Sequence, residues 1–274
     1  MKIIAIAIAV VALAGLLFIG WLGFRFRPKP FPAFPAPPGE VKTIPLPEGL
    51  PAPVERYYRQ TYGDRIPVIE SAVLTGRATM APVGGIKIPA RFRFVHNAGE
   101  DYHHYFEMTW FGRKIVTGNE HYLDGASELR LPMGLSDDGP QVDQAANLSL
   151  WAEYTWLPAV WLTDPRVRWE PVNDETALLV VPFGDRQGET FVARFDPATG
   201  NLVMLEGMRY KDSKSTSKTL WQNVSGDWDK VGEYEIPRAG AVTWFDQGKP
   251  WAVFAAEDIA LNVDVAEYLR EGQK

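Results

Sequence analysis

The sequence predicts a mainly β fold with helices (α+β). Its core is a curved antiparallel sheet or incomplete barrel wrapped around a mid-chain apolar helix, behind an N-terminal transmembrane helix. Three observations predict it. Short stretches of alternating apolar and polar residues recur at hairpin spacing through most of the chain. Residues 141–162 instead lack glycine and are apolar almost all round, as in a buried helix. Residues 3–24 carry no charge. A β-sandwich is the alternative architecture.

The uncharged run spans about 33 Å as a helix, close to one bilayer core. Trp21 and Phe24 lie at its far end, followed by Arg25, Arg27 and Lys29. The run outlasts the apolar stretch of a cleavable signal peptide, although Ala12-Leu13-Ala14 fits a cleavage pattern. Residues 1–27 are therefore read as a transmembrane anchor and 28–53, rich in proline, as a spacer. Extended polyproline could hold the domain roughly 80 Å from the bilayer. Residues 54–274 form a single β-rich globular domain.

Within that domain, 53–62 reads as a short helix that Gly63 ends. Strands follow over 68–80, 90–95, 101–110, 115–122 and 127–131, with Asp124-Gly125 as a hairpin turn. Alternation puts Phe92 and Phe94 on one face, and Tyr102, His104, Phe106, Met108 and Trp110 on one face of the next strand. Pro158 should break the mid-chain helix near Leu157. Strands return from 167 to 265, and 266–270 forms a helical tail.

The chain has 274 residues and a net charge of −6. The segment before Phe31 holds four of the 28 basic residues and no acid, leaving 24 basic against 34 acidic groups in the rest. That balance excludes a basic nucleic-acid face and argues against broad docking of the domain on anionic lipid. The absence of cysteine excludes disulfides and thiolate chemistry within the chain.

No nucleophile elbow, phosphate loop or dinucleotide fingerprint occurs. A zinc site from His103, Glu107 and His121 lacks any fixed-spacing motif, and these side chains read as solvent-facing strand residues. Asp137-Asp138 and Asp174-Glu175 read as loop acids. No cofactor or metal is expected. Glu153 stands among Trp151, Tyr154 and Trp156 on the apolar helix, so its charge needs a partner. Arg56 is the one expected.

Several segments follow one another in a familiar order: Leu50–Arg59, Gly118–Arg130, Ala152–Leu162, Val167–Leu179 and Glu235–Phe245. Their series resembles an uncharacterised bacterial family known only as a domain of unknown function, which implies no reaction. The arrangement also looks similar to bacterial outer-membrane lipoprotein carriers, an analogy of fold that implies a space for acyl chains. The expected ligand-binding residues are Trp151, Glu153, Tyr154, Trp156 and Trp161 on the helix, and Phe92, Phe94, Phe106, Met108 and Trp110 on the strands, with Arg56 and Tyr122. The domain is expected on the outer side of a bacterial inner membrane, binding a lipid or other apolar ligand. The alternatives are a solid-cored interaction module of the envelope, and a hydrolase using Glu153 or His121.

Overall fold

The computed structural model describes residues 2–35, 41–82, 85–131, 135–184, 188–231 and 234–271. Helix α1 (Lys2–Gly23) is long and apolar enough to cross a membrane. Strand β1 (Thr43–Pro45) pairs with β2 (Arg65–Pro67) around α2 (Ala52–Tyr62). Pro53 sits in the first turn of α2, where a missing N–H costs nothing. Gly63, at φ 72°, ends it with a backbone geometry that side chains resist.

One antiparallel sheet of thirteen strands carries the rest. An outward meander runs β3 (Ser71–Met80), β4 (Ile88–Asn97), β5 (Asp101–Trp110), β6 (Arg113–Leu123), β7 (Ala126–Leu131) and β8 (Leu135–Asp138). A second meander returns as β9 (Arg168–Asn173), β10 (Thr176–Val181), β11 (Glu189–Phe195), β12 (Leu202–Arg209), β13 (Thr219–Val231), β14 (Tyr234–Trp244) and β15 (Pro250–Leu261). The two join at the centre, where β15 pairs with β3, and β8 and β9 are the free edges. The architecture is thus an open curved sheet, not a sandwich. Asp137 and Asp138 lie on edge strand β8 rather than in a loop, and charge there discourages pairing with a second chain. Asp124 (φ 53°) and Gly125 (φ 81°) make the tight β6–β7 turn.

Helix α3 (Pro140–Glu153) spans the opening between the two arms. Asp143 accepts from Ser127 N on one arm, while Gln144 donates to Met208 O on the other. Burial is continuous from Ala145 to Ala152, as the all-round apolar pattern requires. The mid-chain segment ends earlier than expected: the helix stops at Glu153 and resumes as α4 (Val160–Thr163) after Pro158. Tyr58 of α2 donates to the Pro158 carbonyl at 2.7 Å, so the break is held by the first helix of the domain.

The outer face carries its own small core, with Val73 and Val95 against Val263, Val265 and Leu269 of the C-terminal segment and α5 (Ala266–Leu269). Residues 26–34 lie against this face instead of standing off. Arg91 sits 4.3 Å over the Phe31 ring, and Phe34 packs edge-on to Tyr268. The segment is held by cation–π contact of Phe31 with Arg91 and Arg93 of β4 and by ring contact with Tyr105 of β5. The end of α1 is tied down too: Trp110 Nε1 donates to Gly20 O and Phe111 N to Gly23 O.

Replacing Tyr58 with Phe removes one of the two donors to the buried Pro158 carbonyl and leaves the Trp161 N–H at 3.2 Å. A loss of about 0.5–1.5 kcal/mol is expected in urea unfolding, with unchanged m-value.

Candidate functional site

Where α3 ends, the inner face of the sheet is not filled. A cavity of about 110 Å³ lies between Ala152, Glu153 and Trp156 on the helix side and Phe94, Phe106, Val242 and Phe254 on the sheet. An outer vestibule of about 700 Å³ adjoins it, lined by Met108, Leu129, Trp244 and Lys249 among others. Met80, Phe106, Glu120, Arg209 and Trp251 line both spaces, so the vestibule leads directly to the cavity. Phe106 lies flat across Gly118 of the neighbouring strand; a Cβ at Gly118 would fall 1.9 Å from its ring. Only glycine lets the ring take that position.

Four buried N–H donors around the cavity have no protein partner: the indoles of Trp156, Trp221 and Trp251, and the amide of Asn223. A buried donor without an acceptor costs about 1–3 kcal/mol. These nitrogens are sealed from the cavity as well as from solvent, so they mark polar strain in its walls.

The polar side of the cavity is an ion network. Glu153 Oε2 lies 2.8 Å from His104 Nε2 and 3.1 Å from His96 Nε2. Glu120 accepts from Tyr102 OH at 2.9 Å and stands 3.6 Å from His104 Nδ1. Arg209 donates to Ala145 O and Ser149 Oγ, with its guanidinium 4.5 Å over Trp221. Burial alone would raise Glu153, but His104 and His96 bring it down to about 2. Burial alone would lower His104, but Glu153 and Glu120 raise it to about 9. Glu120, despite burial, is also lowered, by His104 and Arg209, and burial lowers His96. Two carboxylates thus face two cations, His104 and Arg209, beside a neutral His96. Neither Glu153 nor His104 is poised near neutral pH, where a general base works best.

His96, His104 and Glu153 offer ligand atoms within 4.8 Å of one another and could hold a divalent cation. The charges already balance without one; His104 and Glu153 are directly hydrogen-bonded at 2.8 Å, while His96 Nε2, 3.1 Å from the same oxygen, lacks hydrogen-bond geometry.

The expected residues divide. Phe94, Phe106, Glu153 and Trp156 line the cavity, and Met108 the vestibule. Phe92 lies behind them, stacked on Trp156. Trp151, Tyr154 and Trp161 are fully packed core: Tyr154 accepts from Gly99 N, and Trp161 donates to the Trp151 carbonyl. Tyr122 lines a separate recess with Asn147 and Arg166. Trp110 has left the cavity face for the end of α1. Arg56 is not the partner of Glu153; it donates to Asp174 O, far along the chain, because α2 packs toward the β9–β10 edge. His103, Glu107 and His121 are buried, not solvent-facing, because the outer face is covered. His103 and His121 stack at 4.2 Å and bond to the Tyr268 and Glu271 carbonyls, while Glu107 pairs with Arg91. His96, Glu120 and Arg209 were missed. Each falls at an inward position of the period-two pattern, next to Phe94, Tyr122 and Gly207 respectively.

Residues 40–256 match a family of unknown function, DUF6544, and the chain belongs to that family. No protein of curated function matches it. Among solved structures, the chain is similar to a LolA superfamily protein from Nitrosomonas europaea, at 11% identity and a TM-score of 0.48, over 82% of this chain and 100% of that one. A DUF1329 family protein from Desulfovibrio piger aligns at 11% identity and a TM-score of 0.44, over 75% of this chain and 91% of that one. A Vibrio parahaemolyticus domain assigned to outer membrane lipoprotein sorting aligns at 11% identity and a TM-score of 0.42, over 81% and 94%. At these values the likeness is one of broad outline.

The network makes stability depend on pH from both sides. Unfolded, His104 releases its proton near 6.5; folded, it holds the proton to about 9. Stability therefore falls as pH rises through that window. His121 is lowered to about 4, chiefly by burial and then by His103. Stability therefore also falls as pH drops from 6.5 toward 4. The melting temperature is expected to peak near pH 6.5, and His104→Gln to flatten the alkaline limb.

Proposed function

We propose that the chain is a membrane-anchored envelope domain that binds an apolar ligand, a lipid or acyl chain, between α3 and the sheet. Helix α1 is the anchor, and the domain stands on the outer side of a bacterial inner membrane. The observation that carries the reading is a mainly apolar cavity that shares five lining residues with a larger outer vestibule. Hydrocarbon suits the Phe94, Phe106, Val242 and Phe254 walls.

Size decides how such a ligand sits. A cavity of roughly 150 Å³ accommodates one benzene, so 110 Å³ takes only the end of a chain. The vestibule, at about 700 Å³, falls in the range of ordinary ligand pockets of roughly 300–1,000 Å³. The bulk of the ligand therefore lies outside, against Met108, Leu129 and Trp244. Phe94, Phe106, Glu153 and Trp156 make the inner contacts, and the Glu153–His104 pair keeps that wall in place.

A second reading, an interaction module without ligand, is favoured by the solid packing of Trp151, Tyr154 and Trp161 at the closed end of the sheet. Native mass spectrometry of the full chain, extracted in mild detergent, separates the two. Co-purified lipid is expected. Val242→Phe fills the cavity and is expected to lower the bound fraction roughly tenfold while unfolding stays cooperative. A ligand-free wild type that also ignores added fatty acid and phospholipid sinks the proposal.

A further inference from the structure

We propose that the end of the sheet bearing the cavity mouth docks on an anionic phospholipid bilayer, the same bilayer that α1 enters. This rests on the membrane reading of α1 above. The strand register divides the turns into two sets. Among the described residues, those at 81–82 and 85–87, 111–112, 210–218 and 245–249 lie at one end of the sheet. Those at 98–100, 124–125, 174–175 and 196–201 lie at the other.

Three independent features gather at the first end. The vestibule is lined there by residues of the 81–82, 85–87 and 245–249 segments, with Trp244 and Trp251. Helix α1 attaches there, through Trp110 and Phe111 to Gly20 and Gly23. Large apolar side chains also stand in solvent there, Ile86 at 60% and Phe245 at 63% exposure. Aromatic and apolar side chains of this kind belong at a membrane interface.

Charge separates along the same axis. The mouth-end turns carry Lys87, Lys211, Lys214, Lys218 and Lys249 against Asp212 and Asp246, with Arg113 and Lys114 beside the 111–112 turn. The far-end turns carry Glu100, Asp124, Asp174, Glu175 and Asp196, with Arg56 bonded to Asp174 O and Arg166 to Gly99 O beside them, so that among the described residues this end is the more acidic. The negative total thus hides a basic end and an acidic end. Anionic headgroups attract the first and repel the second, which orients the domain. Arg25, Arg27 and Lys29, just beyond α1, add to the basic end. A ligand then passes from the bilayer to the vestibule without crossing bulk water.

The chain has no cysteine, so single spin labels can be placed without background. The full chain is reconstituted in vesicles of seven parts phosphatidylcholine to three parts phosphatidylglycerol. Labels are placed at Ile86→Cys and Phe245→Cys on the mouth end, and at Gly125→Cys and Asp174→Cys on the far end. Collision with lipid-soluble oxygen is expected to be severalfold greater for the mouth-end pair. Phosphatidylcholine alone, or Lys87→Glu with Lys214→Glu, is expected to abolish the difference. Equal, water-like behaviour of all four labels overturns the proposal. So does dipolar broadening of the mouth-end labels without lipid contact, which would mean a second copy covers the mouth. Label depth does not require an occupied cavity, so this result stands apart from the mass-spectrometric test of ligand binding.

Discussion

One carboxylate sets the geometry of the inner face. Glu153 is the last residue of α3, and its two histidine partners come from adjacent strands β4 and β5. The pair fixes where the helix stops against the sheet. Removing one member of such a buried pair typically costs about 3–5 kcal/mol, because the other is left charged and alone. An apolar residue at position 153 could have packed as well, but it would have let the helix settle onto the sheet. The ion pair holds the helix end at hydrogen-bonding distance from β4 and β5, while Thr155 bonds to Ser225 of β13 and Trp156 packs against Gly240 of β14. The cavity lies between these contacts.

The fold was legible because the strands alternate apolar and polar residues, even where the polar face is later covered, and the mid-chain helix has almost no polar face. Period-two alternation placed Phe94, Phe106 and Met108 correctly. Where the reading stopped short, it stopped by one step. The strand expected over 90–95 continues to Asn97, and that step would have put His96 beside Phe94 on the inner face. Glu120 and Arg209 lie at inward positions of recognised strands, but a charged residue at an inward position looks like noise until its partner is known. The Arg56 pairing failed for another reason. Which strand a helix faces depends on sheet order, and no local pattern reports that β3 pairs with β15.

Composition was the least informative guide. A negative total argued against broad docking of the domain on anionic lipid, but total charge is a sum and surfaces act locally. Lysines in 210–218 and acids in 174–175 belong to different ends only because an antiparallel meander sends alternate turns in opposite directions. The covered outer face is a similar case. His103 and His121 looked solvent-facing because the segments that bury them, residues 26–34 and the C-terminal tail, carry no strand pattern of their own.

The central seam of the sheet has a consequence for how the chain is made. Strand β3 pairs with β15, so residues 72 and 261 must meet, as must 80 and 252. Each meander can assemble locally as it leaves the ribosome or the translocation pore. The seam cannot close until nearly the whole chain has been synthesised, and contacts of such sequence separation form slowly. Until then two half-sheets coexist, each with a bare strand edge and an uncovered oily surface. Loss of even a short C-terminal stretch would remove the strand that unites them, leaving two arms with nothing between.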